Sequence, residues 1–432
     1  MCQHHQDVRD GSHGSSQPSD SFPWHLGAFD AHCHPTDTMA SIDDLARMRT
    51  STLTIMATRS QDQHLVAEVA AAHGIASTTT TTTPTNLPDG ACKVVPAFGW
   101  HPWFSHQLYD DAAAAPTYAP DRQPSSAAAK RAHYRAVLQP PPDDDAFLDS
   151  LPDPAPLSAF LAATRQRLAA HPLALVGEIG LDRAFRLPEP PSLSAATAAE
   201  DDPEIDDHGG LTPGGRESRR LSPYRVRMPH QQAVLAAQLA LAGTLGRAVS
   251  LHGVQAHGAL YDTVARCWAG RELPSRREQR LVAPGAEDFS SNSSSDDEEE
   301  GGSLPQMIKA LELRKKQDGG GRPYPPRICL HSFSGSAGTL EQWMRRNIPA
   351  QVYVSFSVAV NMSTEASRAK TDEVIRAVPD DRVLVETDLP GAGPDMDGML
   401  EAMYRHVCQV KGWDLEDGVA RIRMNYQTFI FG

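Results

Sequence analysis

Two rhythms of apolar positions alternate along this chain. Eight short runs rich in Val, Ile and Leu come first: LGAFDAHCH from Leu26, TLTIMA from Thr52, CKVVPAFG from Cys92, LALVGEIG from Leu173, RAVSLHG from Arg247, PRICLH from Pro326, QVYVSFS from Gln351 and RVLVETD from Arg382. Runs of this length are characteristic of strands buried on both faces of a parallel sheet. Between most of them, apolar residues recur at three- and four-residue spacing, as in QDQHLVAEVAAAHG, PLSAFLAATRQRLAAH and HQQAVLAAQLALAGTLG, which predicts helices. Alternating strand and helix means parallel strands joined by crossovers. The predicted fold class is therefore α/β, a (β/α)8 TIM barrel, with an open doubly wound sheet as its structural rival.

Three stretches break the rhythm and read as long, partly disordered loop insertions into a barrel of residues 26–432. The first, about 108–156, is rich in Ala, Pro and Asp, with a helix predicted near Ala127 to Val137. The second, about 188–229, mixes acidic residues with Gly, Pro and Arg. The third, about 271–325, carries SSNSSSDDEEEGGS, too polar to bury a core, and one short helical pattern, LPQMIKALELRKK. The run Thr78 to Thr83 reads as a smaller loop excursion, and the polar residues 1–25 as a disordered tail.

Composition narrows the function classes. The chain has 432 residues, 40% hydrophobic and 22% charged, which suits a soluble globular core, while 34 prolines and 31 glycines leave room for irregular segments. Its 54 acidic and 40 basic residues give a formal net charge of -14, the wrong sign for holding nucleic acid on a broad basic surface. Any such contact must be local and metal-assisted. No signal-peptide core and no apolar run of about 18 residues is visible, so the expectation is an intracellular protein, cytoplasmic and/or nuclear, with no membrane partner. The six cysteines lack C-x-x-C spacing and read as reduced thiols.

Candidate chemistry gathers where the predicted strands end. The first strand closes on D-A-H-C-H, and the two-residue period of a strand puts Asp30, His32 and His34 on one face. H-x-H alone is a weak signal, matched by many surface pairs. Glu178, His252, His331 and Asp388, however, fall at the predicted ends of strands four, five, six and eight. In a parallel barrel this is the face where side chains from different strands meet. Each residue alone has a plainer account, as a helix cap or a satisfied core histidine. Five strand ends together favour a shared centre. Carboxylate oxygen with imidazole nitrogen suits divalent zinc, manganese or magnesium, and a cation offsets the cost of burying such groups.

The motifs FDAHCH, FGWHP, GEIGLD, SLH, HSFSG and ETD, in this order, resemble the TatD-related metal-dependent deoxyribonucleases, across residues 26 to 432 apart from the insertions. The tail MNYQTFIF resembles the family's final helix, and VSLHGVQAHG with the insertions resembles a fungal branch. The resemblance implies two divalent metal ions, one on His32 and His34, a second on His252 and His331, with Glu178 between them. It implies that Asp388 completes the set of ligands around the first metal and orients or deprotonates the attacking water. His101 in GWHP is a candidate to touch a phosphate or protonate a leaving group; its other reading is a loop histidine fixed by Pro102. Asp182, Glu386 and Asp30 are candidate supports for ligand imidazoles. Ser332 and Ser334 read as phosphate contacts or, more simply, as loop residues. Leu389, where the family has a small residue before proline, bears on pocket shape.

The implied activity is phosphodiester hydrolysis with DNA as substrate, from a 3′ end. Two alternatives stand beside it: hydrolysis of an amide or ester at the same metals, and a protein-binding scaffold that uses the acidic loop and keeps a vestigial site.

Overall fold

The computed structural model describes residues 21–75, 92–190, 220–274 and 321–432. All eight predicted strands are present: β1 (Phe29–Cys33), β2 (Thr52–Met56), β3 (Lys93–Ala97), β4 (Val176–Asp182), β5 (Val249–Val254), β6 (Arg327–Leu330), β7 (Gln351–Phe356) and β8 (Val383–Val385). They pair in parallel as β1-β2-β3 and as β4-β5-β6-β7-β8.

Backbone hydrogen bonds close the two arcs into a ring. Between β3 and β4, the Phe98 amide donates to the Leu175 carbonyl at 3.1 Å and Gly177 to Phe98 at 3.2 Å. Between β8 and β1, Asp388 donates to His32 at 3.0 Å and His34 to Leu389 at 2.8 Å. One buried cluster then takes a residue from every strand or its first flank: Phe29, Met56, Val95, Leu175, Ala248, Cys329, Tyr353 and Leu384. Only the inside of a closed barrel brings eight strands to one cluster. The open doubly wound sheet is ruled out, because it has no such interior and keeps two free edges.

Seven of the strands lead directly or through insertions to helices that cover the ring. These are α1 (Asp62–His73), α2 (Ser126–Val137), α3 (Asp145–Ser150), α4 (Leu157–Ala170), α5 (Met228–Thr244), α6 (His257–Trp268), α7 (Ala337–Trp343), α8 (Val358–Asn361), α9 (Glu365–Ala377), α10 (Pro394–Lys411) and α11 (Leu415–Phe431). The final helix, α11, plugs the barrel with Tyr426, Phe429 and Ile430, and the Tyr426 hydroxyl lies 2.8 Å from Thr54 Oγ1. Above that plug the two-residue period of each strand turns the interior polar: Ala248 is followed by Ser250 and His252, Cys329 by His331, Tyr353 by Ser355, and Leu384 by Glu386. The same spacing therefore builds the floor and the site.

Two sequence expectations shift. Residues 21–25 are not part of a disordered tail, because Phe22 is buried and meets the Tyr404 ring edge-on at 5.6 Å. The stretch 108–156 is folded: Tyr134, Val137, Leu138, Phe147 and Leu148 form a small apolar core with Leu187 and Val226. Its alanine-rich helix α2 covers the predicted span, capped by Ser125, whose hydroxyl accepts from the Ala128 amide at 3.2 Å. The pair Leu108–Tyr109 with Ala155–Pro156 joins the two ends of the segment, and Leu138–Gln139 with Arg225–Val226 ties it to the residues that lead into α5. The acidic run, the helix predicted within LPQMIKALELRKK and the threonine run lie outside the described residues.

Candidate metal centre

The six predicted ligands come together at one mouth of the barrel. His32 is the penultimate residue of β1 with His34 just beyond the strand, His331 follows β6, and Asp388 lies three residues past β8 in a left-handed backbone conformation with φ 57°. Glu178 and His252 differ from expectation: both lie inside their strands, because β4 runs on to Asp182 and β5 to Val254. Glycine makes this crowding possible. A Cβ on Gly180 would sit 2.0 Å from the His252 carbonyl oxygen, and one on Gly99 would sit 2.7 Å from Gly177. The glycines of GEIGLD and FGWHP are thus explained by close backbone approach.

Glu178, only 3% exposed, is the hub. Its Oε2 lies 3.4 Å from His32 Nε2 and 3.4 Å from His34 Nε2. Its Oε1 lies 2.7 Å from His252 Nδ1, 2.9 Å from His331 Nε2 and 3.1 Å from His101 Nε2. The two oxygens of one carboxylate therefore face two separate pairs of predicted ligands. Asp388 Oδ1 joins the first pair, 3.4 Å from His34 Nε2 and 3.7 Å from His32 Nε2.

These separations test whether a cation fits. Metal–nitrogen bonds of about 2.0–2.1 Å place neighbouring ligands of a tetrahedron roughly 3.3 Å apart. Among His32 Nε2, His34 Nε2, Glu178 Oε2 and Asp388 Oδ1, the five separations given run from 3.2 to 3.7 Å. The outer ring nitrogens point the same way. His252 Nε2 is 3.2 Å from Asp182 Oδ2 and His331 Nδ1 is 3.3 Å from Glu386 Oε1, so each ring donates outward to a carboxylate and, when neutral, turns a lone pair inward. His252 Nδ1 and His331 Nε2 then face each other at 3.2 Å. With both rings neutral in that tautomer, a cation between them would take up both lone pairs. The residues fit a metal on chemistry and on spacing.

Charge within the cluster agrees. Burial alone would push the Glu178 carboxyl up, but His101, His331 and His32 hold it well below the usual carboxylate range. Burial opposes charge on His252 too, yet Asp182 and Glu178 raise it to about 9. His34 rises against burial through Asp388 and Glu178, and His331 through Glu178 and Glu386. His32 is lowered by burial and by His331, whose ring stacks on it at 3.8 Å. The carboxylates favour positive charge here, and a metal cation held among them would supply it while the imidazoles stay neutral.

His101 is placed differently from the others. Its Nδ1 accepts the Trp103 amide at 3.2 Å, so the neutral ring carries its proton on Nε2 and points an N–H at Glu178. Burial pushes it down to about 4, which keeps it neutral near pH 7. Although its Nε2 lies within ligand distance of Glu178 and His252, the orientation is that of a donor.

The expected supports also have definite places. Asp182 and Glu386 each meet a ring nitrogen as described, and Glu386 further accepts from the Ser332 amide at 2.7 Å and from the hydroxyls of Ser332 and Ser355. Ser332 is thereby engaged inside the protein, and Ser334 Oγ lies 3.4 Å from His257 Nε2. Asp30 touches no imidazole: it accepts from the His32 amide at 3.0 Å, the Thr387 amide at 3.1 Å and the Thr387 hydroxyl at 2.5 Å, fastening β1 to the end of β8. Two residues escape the sequence reading. Ser250 Oγ lies 2.8 Å from His32 Nδ1, and its place two residues before His252 was a usable signal. Trp103 donates its indole N–H to Asp182 Oδ2 at 2.5 Å, which nothing in the local sequence announces.

A family model described as TatD related DNase matches residues 29–430. The chain belongs to the TatD family. It is a metal-dependent hydrolase of that family, built on the family's barrel. Among curated relatives, Cut9-interacting protein scn1 of Schizosaccharomyces pombe is 35% identical over 402 residues, 93% of this chain and 98% of its own. Uncharacterized deoxyribonuclease YMR262W of Saccharomyces cerevisiae is 25% identical over 344 residues, 77% of this chain and 80% of its own. The TatD homologue YJJV of Escherichia coli, a solved structure, covers 93% of this chain and 97% of its own at 17% identity, with a TM-score of 0.45. Among the described residues of this TatD protein, no helix is long and apolar enough to cross a membrane.

Proposed function

We propose that this TatD-family hydrolase cleaves phosphodiester bonds of DNA, from a 3′ end, at two divalent cations drawn from Mg, Mn or Zn. The observation that carries the reading is the division of Glu178, with Oε2 toward His32 and His34 and Oε1 toward His252 and His331. In this reading Asp388 completes the first site. Cations so held supply Lewis-acid stabilisation of a phosphoryl group and ease the ionisation of water.

The chain's own residues do the rest. Burial raises the Asp388 carboxyl, but His34, His331 and His32 outweigh it and keep the group low, so it is ionised at neutral pH. With 19% of its side chain exposed it stands at the mouth, where it takes a proton from an attacking water. His101 presents Nε2–H to the same centre and donates to a phosphate oxygen or to the departing oxygen. The net charge of -14 weighs against sequence-wide attraction to a polyanion, so in this reading substrate binding rests on the centre itself. The described cysteines are all free, which supports an intracellular setting, cytoplasmic or nuclear.

Chelator-stripped protein, reloaded with Mg, Mn or Zn, should release mononucleotides from single-stranded DNA labelled at its 5′ end, leaving a shortening ladder. Turnover of dihydro-ring amides alone would defeat the nuclease reading in favour of an amidohydrolase. A second reading, a protein partner, is favoured by the name of the S. pombe relative, Cut9-interacting protein. It assigns partner binding to the acidic run at 285–303. Deletion of that run should abolish partner capture and leave DNA turnover unchanged, and the opposite result excludes it.

A further inference from the structure

We propose that Trp103 is a positioning residue for the His252 side of the centre, acting through Asp182, and that the folded segment at 108–156 holds it there. The proposal rests on the two-cation reading above and adds a residue that touches neither cation. Asp182 Oδ2 is shared: the Trp103 indole N–H reaches it at 2.5 Å and His252 Nε2 lies 3.2 Å away. The other oxygen, Oδ1, is filled by the amides of Ala184 and Phe185 at 2.6 and 2.8 Å. The carboxylate is therefore locked in rotation, and the indole fixes how Oδ2 meets His252.

What fixes the indole is the segment expected from sequence to be loose. The Trp103 ring stacks on Phe185 with centroids 4.6 Å apart and planes at 11°, and Phe185 packs against the segment's own apolar core. The backbone of the Trp103 loop is gripped as well. His106 Nδ1 lies 3.1 Å from the Trp103 carbonyl, and His133 on α2 reaches the His106 carbonyl at 2.8 Å. A carbonyl only accepts, so both rings are donors. A chain of fixed contacts thus runs from α2 to a candidate ligand. Outer contacts that orient metal-bound histidine typically govern metal affinity by about 10- to 100-fold.

The test is Trp103→Phe, which keeps a ring on Phe185 and removes the N–H. Calorimetric titration of Mn2+ and of Zn2+ into chelator-stripped full-length protein should give two sites in the wild type. In the variant one site should weaken about 10- to 100-fold and the other stay within twofold. Wild-type affinity at both sites in W103F overturns the proposal. Fewer than two sites in the wild type overturns the two-cation reading instead, so the failures are distinguishable. Should W103F fail to fold, Phe185→Leu leaves the indole N–H but loosens its seat. Selective weakening of the same one site is expected there, and unchanged affinity at both overturns the proposal.

Discussion

Replacing Glu178 by glutamine changes one oxygen into an amide with almost no change in volume, at a position 3% exposed. Each oxygen of the native carboxylate faces its own pair of imidazoles, so each cation should lose one charged ligand bond. Bonds to charged groups contribute about 1.5–3 kcal/mol net, or roughly 10- to 150-fold in affinity per cation. At a metal concentration about 1,000 times the wild-type Kd, each site stabilises the fold by about 4 kcal/mol; weakened by that factor it stabilises by roughly 1–2.5 kcal/mol. The metal-induced rise in Tm should therefore shrink to between about one third and two thirds of the wild-type rise. Differential scanning calorimetry with and without Mn2+ reads this, and DNA turnover should fall together with it. An unchanged rise would show that Glu178 binds neither cation. Loss confined to one of two calorimetric sites would show that it serves only one.

His101→Gln should lower DNA turnover about 100-fold or more while metal stoichiometry by elemental analysis stays at the wild-type value; loss of a cation would make His101 a ligand after all. Asp388→Asn should cut turnover more than metal content, and equal loss of both would remove its role toward water. In acid, His133 is buried and held down to about 4, against 6.5 for an ordinary histidine. Because the folded value is depressed, its stabilising contribution is complete above pH 6.5 and is lost as pH falls toward 4, about 3 kcal/mol in all. Urea unfolding in chelator at pH 7.5 and 4.5 should show a shallower pH dependence for His133→Leu than for wild type, and parallel curves would exclude it. Asp397→Ala should cost about 2–4 kcal/mol, since Asp397 accepts from the amides of Arg49 and Thr50 at 2.8 and 3.0 Å and from the Thr50 hydroxyl at 2.5 Å; a denaturation midpoint within error of wild type would refute that.

The eight strands were legible because a barrel strand is buried on both faces and leaves an unbroken apolar run. The positions of the histidines followed from the same fact, since polar side chains at the carboxyl end of such a run have nowhere else to point. Glu178 and His252 were placed at strand ends, yet lie within their strands. Pairing of Gly180 with His252, Leu181 with Gly253 and Asp182 with Val254 carries both strands past the two ligands, and the glycines there interrupt the apolar run that marks a strand in the sequence. The fold of 108–156 was hidden for a different reason. Its core needs Leu187 and Val226, which lie far along the chain, so composition read locally showed only Ala, Pro and Asp. The helix α2 was visible because alanine periodicity is local. Trp103 was invisible because its partner, Asp182, is brought to it only by the ring of strands.

The seam that shuts the barrel is made by the backbone of His32, His34, Asp388 and Leu389. Three of those four also carry candidate metal donors, and they come from the first and the last strand of the ring. A chain still emerging from the ribosome, or one clipped before its last strand, owns the histidines but not the aspartate or the neighbour that sets their spacing. The candidate donor set and the closed ring are therefore completed by one and the same step, the docking of the last strand against the first.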